Sequence, residues 1–407
     1  IIDIEVEVTE GFPSPQKAEN KITSIAIHDS VTDQYFCFVL DEENKLKPND
    51  WGKNVTVETF DKEYGLLQRF YAKYLEMRPT IITGWNVDGF DIPYLYNRAQ
   101  QIVGKNIADC LSPVSKVYWN KYREKYMIAG VSCLDYLMLY KNFTFSSKPS
   151  YRLDDIGQSE VGTSKISYDG TLNDLYENHL EDFVKYNIHD VRIVKKLDDK
   201  LDFIDVARGI CHVGHVPYED IVYDSRFLEG AILVYLKKLG VVAPNKTPRD
   251  DVKKDGKFAG AYVQDPQKGR HDWVYDLDIT SMYPSIIMSL NVSPETKIGK
   301  VIGWDPEEFI RGKNKTYSIY MNDKKKGQFT EIELKEYFDN NQVSISNNGI
   351  IYRTDKLGLI PTLLSEWFDK RTEYRKLAKK FSDEGDEDQA GYFNRRQHIQ
   401  KIVLNSM

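Results

Sequence analysis

Apolar and polar positions alternate from Ile1 to Val8, and denser apolar runs cover Ile22 to His28 and Gln34 to Leu40. These patterns have the period of strands, the later two being partners for the first. From Tyr64 to Met77 the spacing is helical, and the helix stops before Pro79. Thr80 to Gly84 is a short buried strand. Pro93 to Val103 is helical, and Val131 to Lys141 carries apolar residues at helical spacing. Leu180 to Asp202 is a long amphipathic helix. Strands mixed with packed helices predict an α/β domain over residues 1–202.

Helical patterns continue from residue 203. They run into a polar connector, Pro244 to Lys257, that is either a linker or a surface loop. Trp273 to Ile279 has the pattern of a buried strand, followed by Pro284 and a helix. Residues 300–355 are charged, with short strand-like runs. A helix from Leu359 to Phe381, a break at Ser382-Asp-Glu-Gly-Asp-Glu-Asp388 and a second helix to the end make a hairpin with an acidic tip. There is no internal repeat and no long low-complexity tract. The expected divisions are residues 1–202, 203–255, 256–357 and 358–407.

The 407 residues suffice for two or three cores, and 41% hydrophobic with 29% charged residues is ordinary for a globular protein. The 27 tyrosines serve either as core fillers or as stacking surfaces. A net charge of −7 argues against a uniformly basic nucleic-acid binder, although carboxylates that hold metal ions would also lower it. Cys37, Cys110, Cys133 and Cys211 include no CxxC pair, which excludes a usual zinc site and fits a reducing compartment. No apolar run approaches the roughly 18 residues of a membrane span. The chain starts on Ile1 inside a strand pattern and ends at Met407 inside a helical one, as a fragment of a longer protein would.

Asp3 and Glu5, two apart on a strand, share one face while Ile2, Ile4 and Val6 take the other. Two carboxylates on one face repel unless a cation lies between them, so this is either a divalent-metal site or a solvent-facing edge. Asp91, in Gly84-Trp-Asn-Val-Asp-Gly-Phe-Asp-Ile-Pro-Tyr94, is either a metal ligand or an N-cap. Tyr186 and Asp190, in Tyr186-Asn-Ile-His-Asp190, share one helix face.

In their order and separation the three pieces resemble the exonuclease motifs of B-family DNA polymerases: the Asp-x-Glu strand, the Asn-x-x-x-Phe-Asp turn and the Tyr-x-x-x-Asp helix. The resemblance runs over the whole chain, including Pro149-Ser-Tyr-Arg-Leu-Asp154 and Ser293-Pro-Glu-Thr296, and is strongest toward the polymerases of large tailed, T-even-like phages. It implies an RNase H-like exonuclease domain, then a partial α+β palm and a helical-hairpin fingers. Asp3, Glu5, Asp91 and Asp190 would hold two divalent ions, Mg²⁺ or Mn²⁺. Tyr186 would orient the attacking water or the scissile phosphate.

Trp273-Val-Tyr-Asp-Leu-Asp-Ile-Thr-Ser-Met-Tyr-Pro-Ser-Ile287 resembles polymerase motif A, with Asp278 in the metal-ligand position. Ser281 and Met282 would touch the triphosphate through their backbone, and Tyr283 would lie against the sugar. Arg371, Arg375 and Lys379 form one stripe of the hairpin; Gln397, Lys401 and Asn405 form another. Either stripe is a solvated face on composition alone. By resemblance, Arg371, Arg375 and Lys401 grip the incoming triphosphate and Asn405 supports the site.

Motif C, the Asp-Thr-Asp hairpin, does not occur in the 407 residues. The expectation is therefore a chain that degrades DNA without extending it. Its expected partners are primer–template DNA, single-stranded 3′ ends and dNTPs. A sliding clamp and replication proteins would act through parts outside this sequence, no membrane is expected, and the place of work is the cytoplasm, a host cell's for a phage gene. Residues 112–130 lie where relatives carry a strand-separating hairpin, and Tyr118, Trp119 and Tyr122 serve either that role or the core. The rival readings are the exonuclease half of a split polymerase and a non-catalytic DNA-binding subunit with a polymerase fold.

Overall fold

β1 (Ile2–Val6) buries Ile2, Ile4 and Val6 and turns Asp3 and Glu5 to a more open face, the alternation that pleating imposes. It pairs antiparallel with β2 (Ile22–Asp29), and β2 pairs antiparallel with β3 (Gln34–Leu40). β3 pairs parallel with β4 (Val55–Phe60), which makes the sheet mixed, in the order β1-β2-β3-β4. The computed structural model describes all residues except 9–10, 145, 169, 246–262, 280, 313–314 and 322–323.

α1 (Glu63–Met77) ends as expected, with Arg78 left-handed at φ 46° just before Pro79. β5 (Ile81–Gly84), α2 (Asp91–Ile102) and α3 (Lys105–Ala108) follow. β6 (Val117–Asn120) and β7 (Lys125–Ile128) form a hairpin. β8 (Ser132–Asp135) pairs parallel with β5 and leads into α4 (Tyr136–Phe143). The stretch read as wholly helical thus begins as a strand: Cys133 and Leu134 are buried beside β5 before Asp135 caps α4. α5 (Leu153–Val161), α6 (Leu172–Asn178), α7 (Leu180–Leu201), α8 (Phe203–Gly214) and α9 (Asp224–Lys238) follow.

β2 and β3 are buried on both faces. Ile25, Ile27, Phe38 and Leu40 pack on Leu66, Phe70 and Tyr74 of α1. Ala26, Tyr35, Cys37 and Val39 pack on Phe183, Val184, Ile188 and Val191 of α7. A sheet covered on both sides loses the polar alternation, hence the dense apolar runs. Arg98 of α2 makes a bidentate pair with buried Glu63 of α1 at 2.9 and 2.7 Å, and Glu63 also accepts the Ile22 N–H at 2.8 Å. This pair fixes α2 against the sheet. Gly84 ends β5 hard against β1, where an added Cβ would collide with the Ile2 carbonyl.

The chain divides into two compact units, Ile1–Phe227 and Leu228–Met407. The second contains α10 (Met282–Ser289), β9 (Lys297–Ile302), α11 (Pro306–Ile310), β10 (Thr316–Met321), β11 (Lys324–Thr330), α12 (Glu331–Asn340), β12 (Val343–Ile345) and β13 (Ile350–Arg353). Its five strands are antiparallel in the order β11-β10-β9-β13-β12. Val301, Tyr317, Ile319 and Ile351 of the strands pack with Phe309 of α11 and Leu334 and Phe338 of α12. α13 (Leu359–Asp383) and α14 (Glu387–Ser406) form the expected hairpin. Asn291 ties it to the sheet, donating to the carbonyls of Arg353 (2.6 Å) and Lys356 (2.9 Å) and accepting the Gly358 N–H.

One expectation fails. Trp273 to Ile279 is not a strand, and its apolar residues stand in solvent, Trp273 at 97% and Leu277 at 85% exposure. No described residue supplies the neighbouring strand that would satisfy its backbone and cover its side chains. The Pro244–Lys257 connector lies mostly outside the described residues. No helix among the described residues is long and apolar enough to cross a membrane.

Candidate functional site: a carboxylate cleft

The cleft is assembled by three elements of the first unit. β1 presents Asp3 and Glu5, the start of α2 presents Asp91, and α7 presents Tyr186 and Asp190. Ligand oxygens of Asp3, Glu5 and Asp190 all lie within 4.8 Å of one another. Asp91 is buried, and its Oδ1 accepts the Ile4 N–H at 3.0 Å, tying α2 to β1. Asp91 is the first residue of α2, not its N-cap, which is Phe90.

The electrostatics are those of an under-neutralised site. Burial, then Glu5, Asp91 and Asp190, push Asp3 well above the carboxylate range. Burial and Asp190 push Glu5 up to about 8. Burial pushes Asp91 up to about 7 despite its backbone hydrogen bonds. Burial raises Asp190 as well, against the pull of Lys165.

Sequence reasoning missed Lys165. Its Nζ donates to Asp190 Oδ2 and, at 2.9 Å, to the Tyr186 hydroxyl. One ammonium therefore faces four carboxylates, and its own proton is held more tightly in return. Asp190 Oδ1 remains buried with no hydrogen-bond partner. An orphaned carboxylate oxygen beside two acids is a donor set that fits a hard divalent cation. No spacing pattern marks Lys165, because it lies in an irregular segment between α5 and α6.

Two further residues were not singled out. Asn187, fully buried on α7, donates to Asp3 Oδ2 at 2.6 Å, and its Oδ1 accepts the Ser24 hydroxyl at 2.7 Å. Asp135 accepts the N–H groups of Asn86 (3.1 Å), Asp88 (3.2 Å) and Leu137 (3.0 Å), which fixes the turn that leads to Asp91. Asn187 lies inside the quoted helix motif. Asp135 could have been found only as an N-cap, had the strand-to-helix boundary been seen. His189 turns away to the Ser164 carbonyl, as its position on the helix predicts.

The β6–β7 hairpin sits beside this turn, with Lys125 paired to Asp88 at 2.5 Å. Its aromatic residues are exposed: Tyr118 and Trp119 by about two fifths and Tyr122 completely.

The residues expected to bind triphosphate are less assembled. Asp278 is exposed in the segment without secondary structure. Ser281 is left-handed at φ 49° and N-caps α10, whose first residues Met282 and Tyr283 are exposed. On α13, Arg371 is half-buried and Arg375 exposed, and burial together with the Arg375 charge draws Arg371 below its usual range. On α14, Lys401 is half-buried and Asn405 exposed.

Comparison with known proteins follows the same division. Residues 1–156 match the family model described as DNA polymerase family B, exonuclease domain, and residues 223–407 match that of DNA polymerase family B. The chain is 30% identical over 400 residues to the DNA-directed DNA polymerase of Escherichia phage RB69, covering 92% of this chain and 41% of that one. It is 31% identical over 411 residues to the DNA-directed DNA polymerase of Enterobacteria phage T4, covering 94% and 43%. It is 31% identical over 316 residues to DNA polymerase 1 of Saccharolobus solfataricus, covering 72% and 34%. The chain thus spans about two fifths of the length of these phage relatives.

Proposed function

The chain belongs to DNA polymerase family B, and from that premise we propose that its first unit is a 3′→5′ exonuclease, the proofreading part of a DNA-directed DNA polymerase. The substrate is a single-stranded 3′ end, and the reaction is hydrolysis of its terminal phosphodiester. The observation that carries this reading is the convergence of Asp3, Glu5 and Asp190 within 4.8 Å around an unpartnered Asp190 oxygen.

Asp3, Glu5 and Asp190, with Asp91 behind them, would hold divalent ions, Mg²⁺ or Mn²⁺. Bound there, such ions would supply the activation of water and the stabilisation of a leaving oxygen that in-line displacement requires. Tyr186 keeps its proton, because burial and the neighbouring Asp190 raise it above the usual phenol range. Its oxygen accepts from Lys165, which leaves its O–H free to donate to the attacking water or to a phosphate oxygen. Lys165 holds Tyr186 and Asp190 in register and offsets part of the carboxylate charge when a phosphate enters. Asn187 fixes the Asp3 carboxylate, and Asp135 fixes the turn before Asp91. The exposed aromatics of the β6–β7 hairpin would meet bases as strands part.

The second unit is read as part of a palm with a two-helix fingers. The like charges of Arg371 and Arg375 suit a triphosphate, with Lys401, Asn405, Ser281, Met282 and Tyr283 around the nucleotide. Asp278 stands without a second carboxylate of motif C in this sequence, so the chain as it stands should shorten DNA and not extend it. A sliding clamp and other replication proteins are further partners under this reading. Its place is the compartment that holds the replicating DNA, a host cytoplasm for a phage polymerase.

The test is a 5′-labelled primer–template with Mg²⁺, with and without dNTPs, beside an Asp3→Ala/Glu5→Ala control. Shortening from the 3′ end that EDTA and the control abolish supports the nuclease. DNA binding without shortening would favour a non-catalytic subunit, and extension in the dNTP lane would overturn the incomplete-site reading.

A further inference from the structure

The five strands of the second unit carry Lys297, Lys300, Lys324, Lys325, Lys326 and Arg353 and not one Asp or Glu. This is a local excess of cations in a chain of net charge −7. The acids nearby in sequence lie off the strands. Glu307, Glu308, Glu331, Glu333, Glu336 and Asp339 belong to α11 and α12, the helices that pack on the core face of the sheet, and Asp305 is the N-cap of α11. Asp355, just past β13, pairs with Arg353 at 2.5 Å, and Asp323 lies outside the described residues.

On the other face, Lys300 of β9, Tyr320 of β10 and Lys325 of β11 are directly opposed in one cross-strand row. Ile302, Ser318 and Gln328 form the next row. Lys300, Lys325 and Gln328 are exposed, Ile302 is 48% exposed, and Tyr320 is partly open. Neither Lys300 nor Lys325 engages a carboxylate among the described residues. Lysines on an edge strand guard against sheet-to-sheet association, which accounts for Lys324 to Lys326 on β11. It does not account for Lys300 or Tyr320, which lie on interior strands.

We propose that this open sheet face binds single-stranded DNA, with a base against Tyr320 and backbone phosphates on Lys300 and Lys325. Adjacent strands are about 4.8 Å apart, so each ammonium stem starts one strand away from the ring, on opposite sides of it. An aromatic on an open sheet gives a base a stacking surface, and flanking lysines neutralise the charge on either side. A duplex offers phosphates but no free base face, and would leave Tyr320 idle. The site uses none of the carboxylates of the first unit, so it stands or falls separately from the nuclease.

The experiment irradiates the full chain with an oligothymidylate containing 5-iodouracil, in EDTA so that nothing is degraded. Crosslinking is followed at the β10 peptide itself, so that strand held in the carboxylate cleft is not counted. Crosslinking at Tyr320 is expected, falling as salt rises. In the Lys300→Glu/Lys325→Glu variant the yield should drop at least tenfold. In Lys300→Gln/Lys325→Gln the log–log salt slope should become shallower by about 1.4, at about 0.7 per phosphate contact on a single strand. Lys300→Arg/Lys325→Arg should retain the crosslink, and all variants should melt like the parent because the residues are exposed. Absence of crosslinks on β10, an unchanged salt slope, or stronger competition by duplex than by single strand would overturn the proposal.

Discussion

Two segments of this chain are written almost alike and end differently. Ile2-Asp3-Ile4-Glu5-Val6 and Tyr275-Asp276-Leu277-Asp278-Ile279 both alternate apolar residues with acids at two-residue spacing. The first is β1, paired to β2 with one register shift between Glu5 and Val6, with Ile2, Ile4 and Val6 in the core and its acids facing α7. The second lies exposed along its described length, with no strand partner among the described residues. Alternation specifies which face would be buried, but burial requires a neighbour. Hydrogen-bond partners for the backbone and apolar cover for the side chains must come from elsewhere in the fold.

The largest expected effect is at the finished end of that comparison. Asp3→Ala with Glu5→Ala should lower 3′-end shortening on the order of 10³-fold or more, the scale of losing a principal electrostatic stabiliser. Gel analysis of a 5′-labelled strand reads it directly, and near-parental rates in that variant would sink the assignment of the cleft.

Lys165→Ala should follow, at roughly 10²-fold in rate. Removing it leaves buried Asp190 unpaired, which should also cost roughly 3–5 kcal/mol in the metal-free protein. Denaturant melts in EDTA measure the second part, and Mg²⁺ should restore some of it. Equal stability with and without Lys165 would mean that the carboxylates are already neutralised by protons.

Asn187→Ala should lower the rate by about 10–100-fold, the usual range for a residue that orients a metal ligand. Ser24 and Asp3 would each lose a partner, for about 1–3 kcal/mol. The separating observation is metal dependence: a positioning role raises the Mg²⁺ concentration needed for half-maximal rate, whereas a purely structural role changes stability alone.

The pH dependence follows from the raised carboxylates. Glu5, ordinarily near 4.5, is pushed up to about 8, and Asp91, ordinarily near 3.8, to about 7. Between those values the folded chain keeps protons that the unfolded chain has released, so folding stability falls as pH rises. In EDTA the melting temperature should decline from about pH 4 to pH 8, and saturating Mg²⁺ should flatten or reverse the decline. A metal-free melting temperature that rises across the same interval would contradict the burial of these acids.

The smallest effect belongs to the open segment. Trp273→Ala removes a side chain that is 97% exposed and should change stability by less than about 0.5 kcal/mol. Backbone amides of 273–279 should exchange hydrogen near the unprotected rate while those of Ile2–Val6 are protected. Protection at 273–279 would show that the two segments are more alike than their burial indicates.

Much of the first unit was legible in the chain because its signals are local. The alternation of Ile2 to Val6, the stop before Pro79 and the helical period from Leu180 onward each depend on residues a few positions apart, and each element formed where its pattern lay. Asp3 with Glu5, and Tyr186 with Asp190, could be placed on shared faces for the same reason. Lys165 could not be found this way. It is 21 residues from Tyr186 and 25 from Asp190, in an irregular segment. Asn187 stood in plain sight, but its partners Asp3 and Ser24 come from distant strands. The Val131–Lys141 stretch misled because a short buried strand and a short helix joined end to end leave apolar residues at spacings either could produce.

The sequence by itself determined the class of fold, the elements that carry the acids, and the face on which each acid lies. All of these follow from backbone periodicity and side-chain type within one element. Only the tertiary structure decided which acids converge, that Lys165 stands among them, and that Trp273 to Ile279 finds no strand partner among the described residues. Those outcomes depend on contacts between residues far apart in the chain, where low dielectric and the need to pair every buried polar group act on whatever the fold brings together.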